Sequence, residues 1–319
     1  MSDYIFKTYV AGGREYFVYG DCSKQTKKDF PFLESLLDLL YLDIWQYEPL
    51  IKDMEHLIRE IYQSDDMSYI NQLRSKLEQL AKVHIFFEQT RLEWEHRLDL
   101  IGASYGGKLV DLLPIKELTH IPSTIDDIQK QTKCIFEMVL DIDKGSDPVQ
   151  KRMTSFLRYE KTNSRRTFEF SPSLPLHFEV TGQDTFGEVL YPKDVYDLIE
   201  FSLREAIKRE QRMRVCKNCG RYFAIARRST TEYCDRPIDE KGRTCKDMGS
   251  IIQWTKDRAN DEVFKIYRRE YKRRFAWIKA GRVTAEEFYA WSEKAREKKV
   301  ECDTGAISLE EYQQWLKDF

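Results

Sequence analysis

Four cysteines lie within thirty residues, as Cys216-Lys217-Asn218-Cys219, then Cys234, then Cys245, a spacing of C-x2-C-x14-C-x10-C. A two-residue gap lets two thiolates from one tight turn face the same ion, and Gly220 directly after the second tolerates the positive φ such a turn needs. Two further thiolates complete a tetrahedral all-sulfur shell, the arrangement Zn²⁺ takes in closed structural sites. The alternative is a set of free or disulfide-bonded cysteines. Disulfides need an oxidising compartment, and nothing in the sequence routes the chain to one. A structural Zn²⁺ held by Cys216, Cys219, Cys234 and Cys245 is therefore expected. Four thiolates saturate the ion, so no catalytic residue is assigned there. Its role would be to hold together residues 215–247, a loop-rich stretch with too few apolar residues to fold alone. Cys22, Cys134 and Cys302 are scattered and are assigned nothing.

The elements around these cysteines are unevenly charged. Over the 319 residues the formal net charge is −2. Residues 1–203 hold 24 Lys/Arg against 34 Asp/Glu, a net of −10; residues 204–280 hold 22 against 11, a net of +11; residues 281–319 hold 6 against 9, a net of −3. The positive block is centred on the cysteine cluster. Such sorting suggests that one segment meets an anion, most often nucleic acid; the plainer alternative is that it docks on the chain's own acidic half. Arg221, Arg227, Arg228, Arg236, Lys241, Arg243 and Lys246 sit on the clamped segment. Tyr222, Phe223 and Tyr233 are interleaved with them, either to stack on bases or to form the module's small core.

Along the chain, Tyr4–Val10 and Glu15–Tyr19 are rich in aromatic and β-branched residues and are separated by Gly12-Gly13, which reads as a hairpin. From about 32 to 100 apolar residues recur at three- and four-residue steps, and the stretch 66–100, free of Gly and Pro, predicts one long helix. Residues 124–160 are helical with an interruption at 144–148. Short strands are expected at Thr167–Phe170 and Leu176–Val180. An amphipathic helix begins at Asp194, carries Val195, Leu198, Ile199, Leu203 and Ile207 on one stripe, turns basic at Lys208, Arg209, Arg212 and Arg214, and leads into Cys216. Residues 259–279 predict another helix, with Phe264, Tyr267, Tyr271, Phe275 and Ile278 as its apolar stripe and Lys265, Arg268, Arg269 and Lys272 on an adjacent face. Two capping boxes, Thr284/Glu287 and Ser308/Glu311, open the two arms of a C-terminal helical hairpin tied by Gly305.

Other chemistry is sparse. His84 and Glu88, and Glu93-x-x-His96, share a helical stretch, but a carboxylate-bridged di-metal site needs a matching pair and two more glutamates converging from other helices, and surface or core-edge roles are expected. There is no G-x-x-x-x-G-K-[ST], H-E-x-x-H or G-x-G-x-x-G, which argues against nucleotide-dependent and dehydrogenase activities. No apolar run approaches the roughly 20 residues of a membrane span, and the opening Met-Ser-Asp-Tyr-Ile-Phe-Lys is not a secretory leader, so a cytoplasmic protein without a membrane partner is expected.

The runs Arg214-Val-Cys-Lys-Asn-Cys-Gly-Arg-Tyr-Phe223, Thr231-Glu-Tyr-Cys-Asp-Arg-Pro237 and Gly242-Arg-Thr-Cys-Lys-Asp-Met-Gly249 resemble a family of bacterial proteins known only as a domain of unknown function, as does Thr284-Ala-Glu-Glu-Phe-Tyr-Ala-Trp291. The resemblance spans Leu190 to about Gly249 plus this tail and implies no activity. More remotely, a basic helix running into Cys-x2-Cys-Gly, then Tyr-Cys and a last Cys before a helix, is similar to CGNR zinc fingers, regarded as DNA-binding modules of bacterial regulators. Here Lys-Asp-Met follows Cys245 where those fingers carry Gly-Asn-Arg.

The expected fold is mainly α with minor β (α+β). It comprises a hairpin and helical domain over 1–160, short strands and a linker helix over 161–210, a treble-clef or zinc-ribbon-like four-cysteine module over 211–255, and a helical segment over 256–319. The expected function is binding of nucleic acid, DNA before RNA, as part of a regulator. Arg221, Arg227, Arg228, Arg243, Lys246, Arg268, Arg269 and Lys272 would meet phosphates, Arg227 and Arg228 foremost. The acidic N-terminal part would sense a ligand or bind a partner. The alternative is a protein-interaction module in which zinc is purely structural.

Overall fold

The structure is a computed structural model describing residues 4–21, 23–64, 66–102, 106–163, 168–182, 185–225, 230–258 and 261–318. It is of the α+β class, and the chain divides into two compact units, Met1–Val215 with Arg221–Thr231, and Cys216–Gly220 with Glu232–Phe319.

The first unit is built on a five-stranded antiparallel sheet. β1 (Tyr4–Ala11) and β2 (Arg14–Asp21) form the expected hairpin, closed by Gly12 and Gly13 at φ 57° and 75°. Two positive φ values at the centre of a two-residue turn match the right-handed twist of the strands, and glycine adopts them without a Cβ penalty. β3 (Lys24–Pro31) pairs along the whole of β2 and was not legible in the sequence. Its Lys-Gln-Thr-Lys-Lys-Asp run has no apolar alternation, because β3 is an exposed edge held by backbone pairing. Lysines along it discourage further strand addition, and Lys27 lies over the rings of Tyr9 and Tyr16. β4 (Leu176–Gly182) and β5 (Thr185–Leu190) complete the order β3-β2-β1-β5-β4, with β5 meeting β1 at Thr8↔Leu190 and Tyr9↔Val189. The expected strand at 167–170 is not one. Thr167 lies outside the described residues, and buried Phe168 stacks flat on Tyr196 at 4.6 Å instead of joining a ladder.

The helices of this unit are α1 (Glu34–Leu40), α2 (Glu48–Gln63), α3 (Met67–Val83), α4 (Phe87–Gly102), the short α5 (Leu109–Leu112) and α6 (Ile115–Thr119), α7 (Ile121–Ile135), α8 (Val149–Asn163) and α9 (Val195–Lys208). A π-helical turn, Phe136–Leu140, continues α7, and the expected interruption precedes α8. Ile51, Met54, Leu57, Ile58 and Ile61 of α2 and Ile70, Leu73, Leu77 and Leu80 of α3 sit at helical spacing and are buried in one apolar cluster.

The single helix expected over 66–100 is two helices. The chain turns extended at His84 (φ −156°, ψ 144°), and Phe86 and Phe87 beyond it are fully buried. The break is fastened by the imidazole. Its Nε2 donates to the Ser35 carbonyl at 2.9 Å and its Nδ1 accepts from the Phe86 amide at 3.2 Å. Breaking here seats both phenylalanine rings in the core, a gain that outweighs the helical propensity of a Gly- and Pro-free stretch. Both ring nitrogens are committed in the neutral form, and burial lowers the His84 pKa to about 4. On the other side of Ser35, its amide donates to Glu15 Oε1 at 2.7 Å; burial raises the Glu15 pKa to about 7 against the pull of that hydrogen bond.

α9 starts at its Asp194 cap, as expected, and ends before the cysteines: β6 (Met213–Val215) intervenes and pairs with β7 (Tyr222–Ala224). Three of the four cations of the basic run at its end are paired within the unit. Lys208 meets Glu188 (2.5 Å) and Glu205 (3.2 Å), Arg209 meets Glu205 (2.9 Å), and Arg214 meets Asp143 (2.7 Å).

The second unit carries the cysteines and four helices: α10 (Cys245–Asp257), α11 (Glu262–Lys279), α12 (Ala285–Asp303) and α13 (Leu309–Asp318). Both capping boxes form. Thr284 and Ser308 accept from the amides of Glu287 and Glu311, whose carboxylates accept in return from the cap amides. Gly305 turns the chain between α12 and α13 at φ 78°. The core of this unit is Ile266, Phe288, Trp291, Ala295, Tyr312 and Leu316, with Val263, Tyr267, Tyr271 and Ile278 against it. Phe264, expected on that stripe, instead meets Trp254 and Arg258. Among the described residues no helix is long and apolar enough to cross a membrane.

Candidate metal centre

The four cysteines converge. The Sγ atoms of Cys216, Cys219, Cys234 and Cys245 all lie within 4.8 Å of one another, and the set can hold a metal ion. Cys216 and Cys219 stand on one turn, closed by the Gly220 amide donating to the Cys216 carbonyl at 2.9 Å, with Gly220 at the anticipated positive φ of 70°. Cys234 is delivered by an extended stretch whose anchor is the Lys217 amide donating to the Glu232 carbonyl at 3.1 Å. Cys245 is the first residue of α10, and its amide donates to the Arg236 carbonyl at 3.0 Å. Thr244 and Asp247 cap that helix reciprocally, fixing the direction in which Cys245 enters the cluster. Behind it, Tyr233 packs so closely on Gly249 of α10 that a Cβ there would overlap the ring.

Hydrogen bonds already favour negative sulfur. The Cys234 amide donates to Cys216 Sγ at 3.4 Å, and Asn218 Nδ2 donates to Cys245 Sγ at 3.3 Å. Burial would push the Cys216 thiol up, but amides of Cys219, Cys234 and Asn218 hold it down at about 7. Burial raises Cys234 to about 12 and also raises Cys245. A cation among the sulfurs reverses such burial costs, since a metal-bound thiol is deprotonated outright. Across residues 232–250, all of them described, the buried residues are Cys234, Cys245 and Gly249. This segment has no apolar core of its own.

The aromatic residues nearest the first cysteine pair are core. Tyr222 and Phe223 are buried; the Tyr222 amide donates to Tyr41 Oη at 2.6 Å, its hydroxyl donates to Asp141 at 3.2 Å, and its ring is edge-on to Phe136. Of the basic residues singled out, Arg227 and Arg228 lie outside the described residues. Arg221 lies over the Tyr41 ring at 5.2 Å. Arg243 is paired with Asp239 (2.6 Å) and Lys246 with Asp235 (3.1 Å), while Lys217 is taken by Glu232 (2.6 Å). Arg268, Arg269 and Lys272 stand exposed on α11. Arg269 reaches Glu270 only at 3.8 Å, and among the described residues Arg268 and Lys272 have no acidic partner. These three line a groove between α10 and α11 together with Trp254, Arg258 and Phe264, two aromatic residues and an arginine that the sequence reading did not single out for binding. The four-residue step from Phe264 to Arg268 to Lys272 was the available signal.

His96 and the acids around it are likewise placed: His96 rests against Tyr4, Arg91 takes Glu88 and Glu95, and Arg97 takes Glu93 and Glu117. Among the described residues the cysteines are the one group arranged to hold a metal.

Residues 166–318 match the model of a family of unknown function, DUF6076. That span contains all four cysteines and the runs that carry the resemblance, Leu190 to Gly249 and Thr284 to Trp291; the match does not extend to CGNR fingers. No curated protein and no solved structure matches the chain.

Proposed function

We propose that the chain is a zinc-binding protein whose second unit contacts nucleic acid, DNA before RNA, with the metal serving as a structural staple. Zinc is favoured by the all-sulfur ligand set and by its dimensions. A tetrahedral ion with Zn–S near 2.3 Å sets its sulfurs about 3.8 Å apart, and Cys219 and Cys234 stand at 3.7 Å. A staple is favoured by the lack of buried apolar residues across 232–250. The observation that carries the nucleic-acid reading is α11, where seven Lys/Arg stand against two Glu and where Arg268 and Lys272 are exposed and, among the described residues, without an acidic partner. Such cations bind phosphates by releasing condensed counterions.

The pairing of Lys217, Arg243 and Lys246 with nearby acids favours a second reading, a protein-interaction module in which zinc only holds the fold. One titration separates the two. Zinc-loaded protein is mixed with labelled random-sequence DNA, duplex and single-stranded, and anisotropy is followed across salt. The nucleic-acid reading expects affinity to fall with a log–log slope of about −0.7 to −0.9 per phosphate contacted. No binding to either DNA at low salt overturns it and leaves the interaction module.

A further inference from the structure

The groove between α10 and α11 combines two features that a phosphate-contacting surface alone does not need. Its volume is about 550 Å³. Its floor is aromatic: Trp254 meets Phe264 edge-on at 5.3 Å, and the Arg258 guanidinium lies over both rings, at 4.7 Å from Trp254 and 4.5 Å from Phe264. Its rim is cationic, with Lys265, Arg268 and Lys272 on the α11 side. Trp254 is 44% exposed. Lys265 is engaged by Glu262 at 2.7 Å and Arg269 reaches Glu270 at 3.8 Å, whereas Arg268 and Lys272, one helical turn apart, have no acidic partner among the described residues.

We infer that this groove is a binding site for single-stranded nucleic acid, with one base stacked on the exposed face of Trp254 and the flanking phosphates on Arg268 and Lys272. The inference rests on the nucleic-acid reading and narrows it to a strand type and a place. A duplex keeps its bases stacked on each other and offers a groove only phosphates and edges. A single strand splays its bases and can offer a π-face and anions to the same concave surface, as stacking platforms in basic channels require. Arg258, whose guanidinium lies over the indole, extends that platform, since guanidinium planes stack on bases as rings do. An acidic peptide would match the rim but has no use for an exposed indole beneath it.

The test uses the zinc-loaded full chain with labelled oligothymidine and with a random-sequence duplex, each also competed with polyglutamate. Oligothymidine is expected to bind more tightly than the duplex. Trp254→Ala should weaken oligothymidine about tenfold and leave the duplex nearly unchanged, and Trp254→Phe should restore most of the loss. Replacing both Arg268 and Lys272 with Ala should flatten the single-strand salt slope by about 1.4, or 0.7 per phosphate. Equal affinity for duplex and single strand with a silent Trp254→Ala overturns the inference while the broader reading stands. Equal competition by polyglutamate overturns it in favour of an acidic partner. Binding to neither nucleic acid removes both.

Discussion

The two units hold their chains together by different means. In the first, α2, α3, α4 and the sheet bury one continuous apolar cluster, and two of the polar groups buried in the unit, Glu15 and His84, bond the two backbone groups of Ser35. In the second, the 232–250 segment buries two cysteines and a glycine. Area removed from water stabilises the first unit and the helical core of the second; the 232–250 segment has little such area, and on the zinc reading its fold would depend on what the sulfurs bind. The lesson is that a stability measured on the whole chain averages two quantities with different controls. On the zinc reading, one would answer to protons and the other to metal.

The largest effect expected is from metal removal. A strong chelator, or Cys216→Ser, should abolish zinc binding, whose apparent free energy in small structural modules is about 10–16 kcal/mol. Hydrogen exchange should then show amide protection lost across 232–250 and retained in α2 and β1. Protection that survives chelation in 232–250 would break the contrast.

A middle-sized effect is expected from pH in the first unit. Glu15 has its pKa raised from 4.5 to about 7, so between those values the folded state holds more protons than the unfolded one, and its contribution to stability falls as pH rises. His84 has its pKa lowered from 6.5 to about 4, so over that range the unfolded state holds more protons, and its contribution falls as pH drops. Each amounts to about 3 kcal/mol over its range. The slopes oppose, so denaturant midpoints should change little between these groups' titrations. Glu15→Gln should unmask a stability that rises with pH, and His84→Gln one that falls with it. Parallel pH profiles for the two variants would show that neither group titrates as its burial requires.

The smallest effect concerns charge within the second unit. Asp239→Asn breaks an exposed pair and should change stability little. It frees Arg243, however, and should steepen the salt dependence of DNA binding by up to about 0.9 if that arginine then reaches a phosphate. An unchanged slope would keep the knuckle out of the interface and leave α11 as the contacting element.

What the sequence disclosed and what it hid follow one rule. Features set by neighbours in the chain were legible: the Gly12-Gly13 turn, the Asp194 cap, both capping boxes, and the cysteine set with its Gly220 turn. Features set by distant partners were not. β3 has no pattern because its only strand partner is the backbone of β2, and the break at His84 depends on Ser35, 49 residues away. The charge block shows the same limit. Its sign was readable, but the division between neutralised cations, such as Lys208 and Arg214, and open ones, such as Arg268, depends on acids that only the fold brings near. Phe264 was assigned to the core by its spacing, although a helix with apolar residues on two faces can turn either one inward.

One asymmetry in the cysteine cluster bears on how long a bound ion stays. Cys216, Cys234 and Cys245 are at most 2% exposed, whereas Cys219 faces solvent. A chelator, an oxidant or an alkylating reagent therefore meets one sulfur before the other three. Release of the metal would begin with that single bond, and the lifetime of the holo-protein would be set by the chemistry of Cys219 rather than by the depth of the remaining shell. Affinity and durability are thus separable here, the first shared by four residues and the second governed by one.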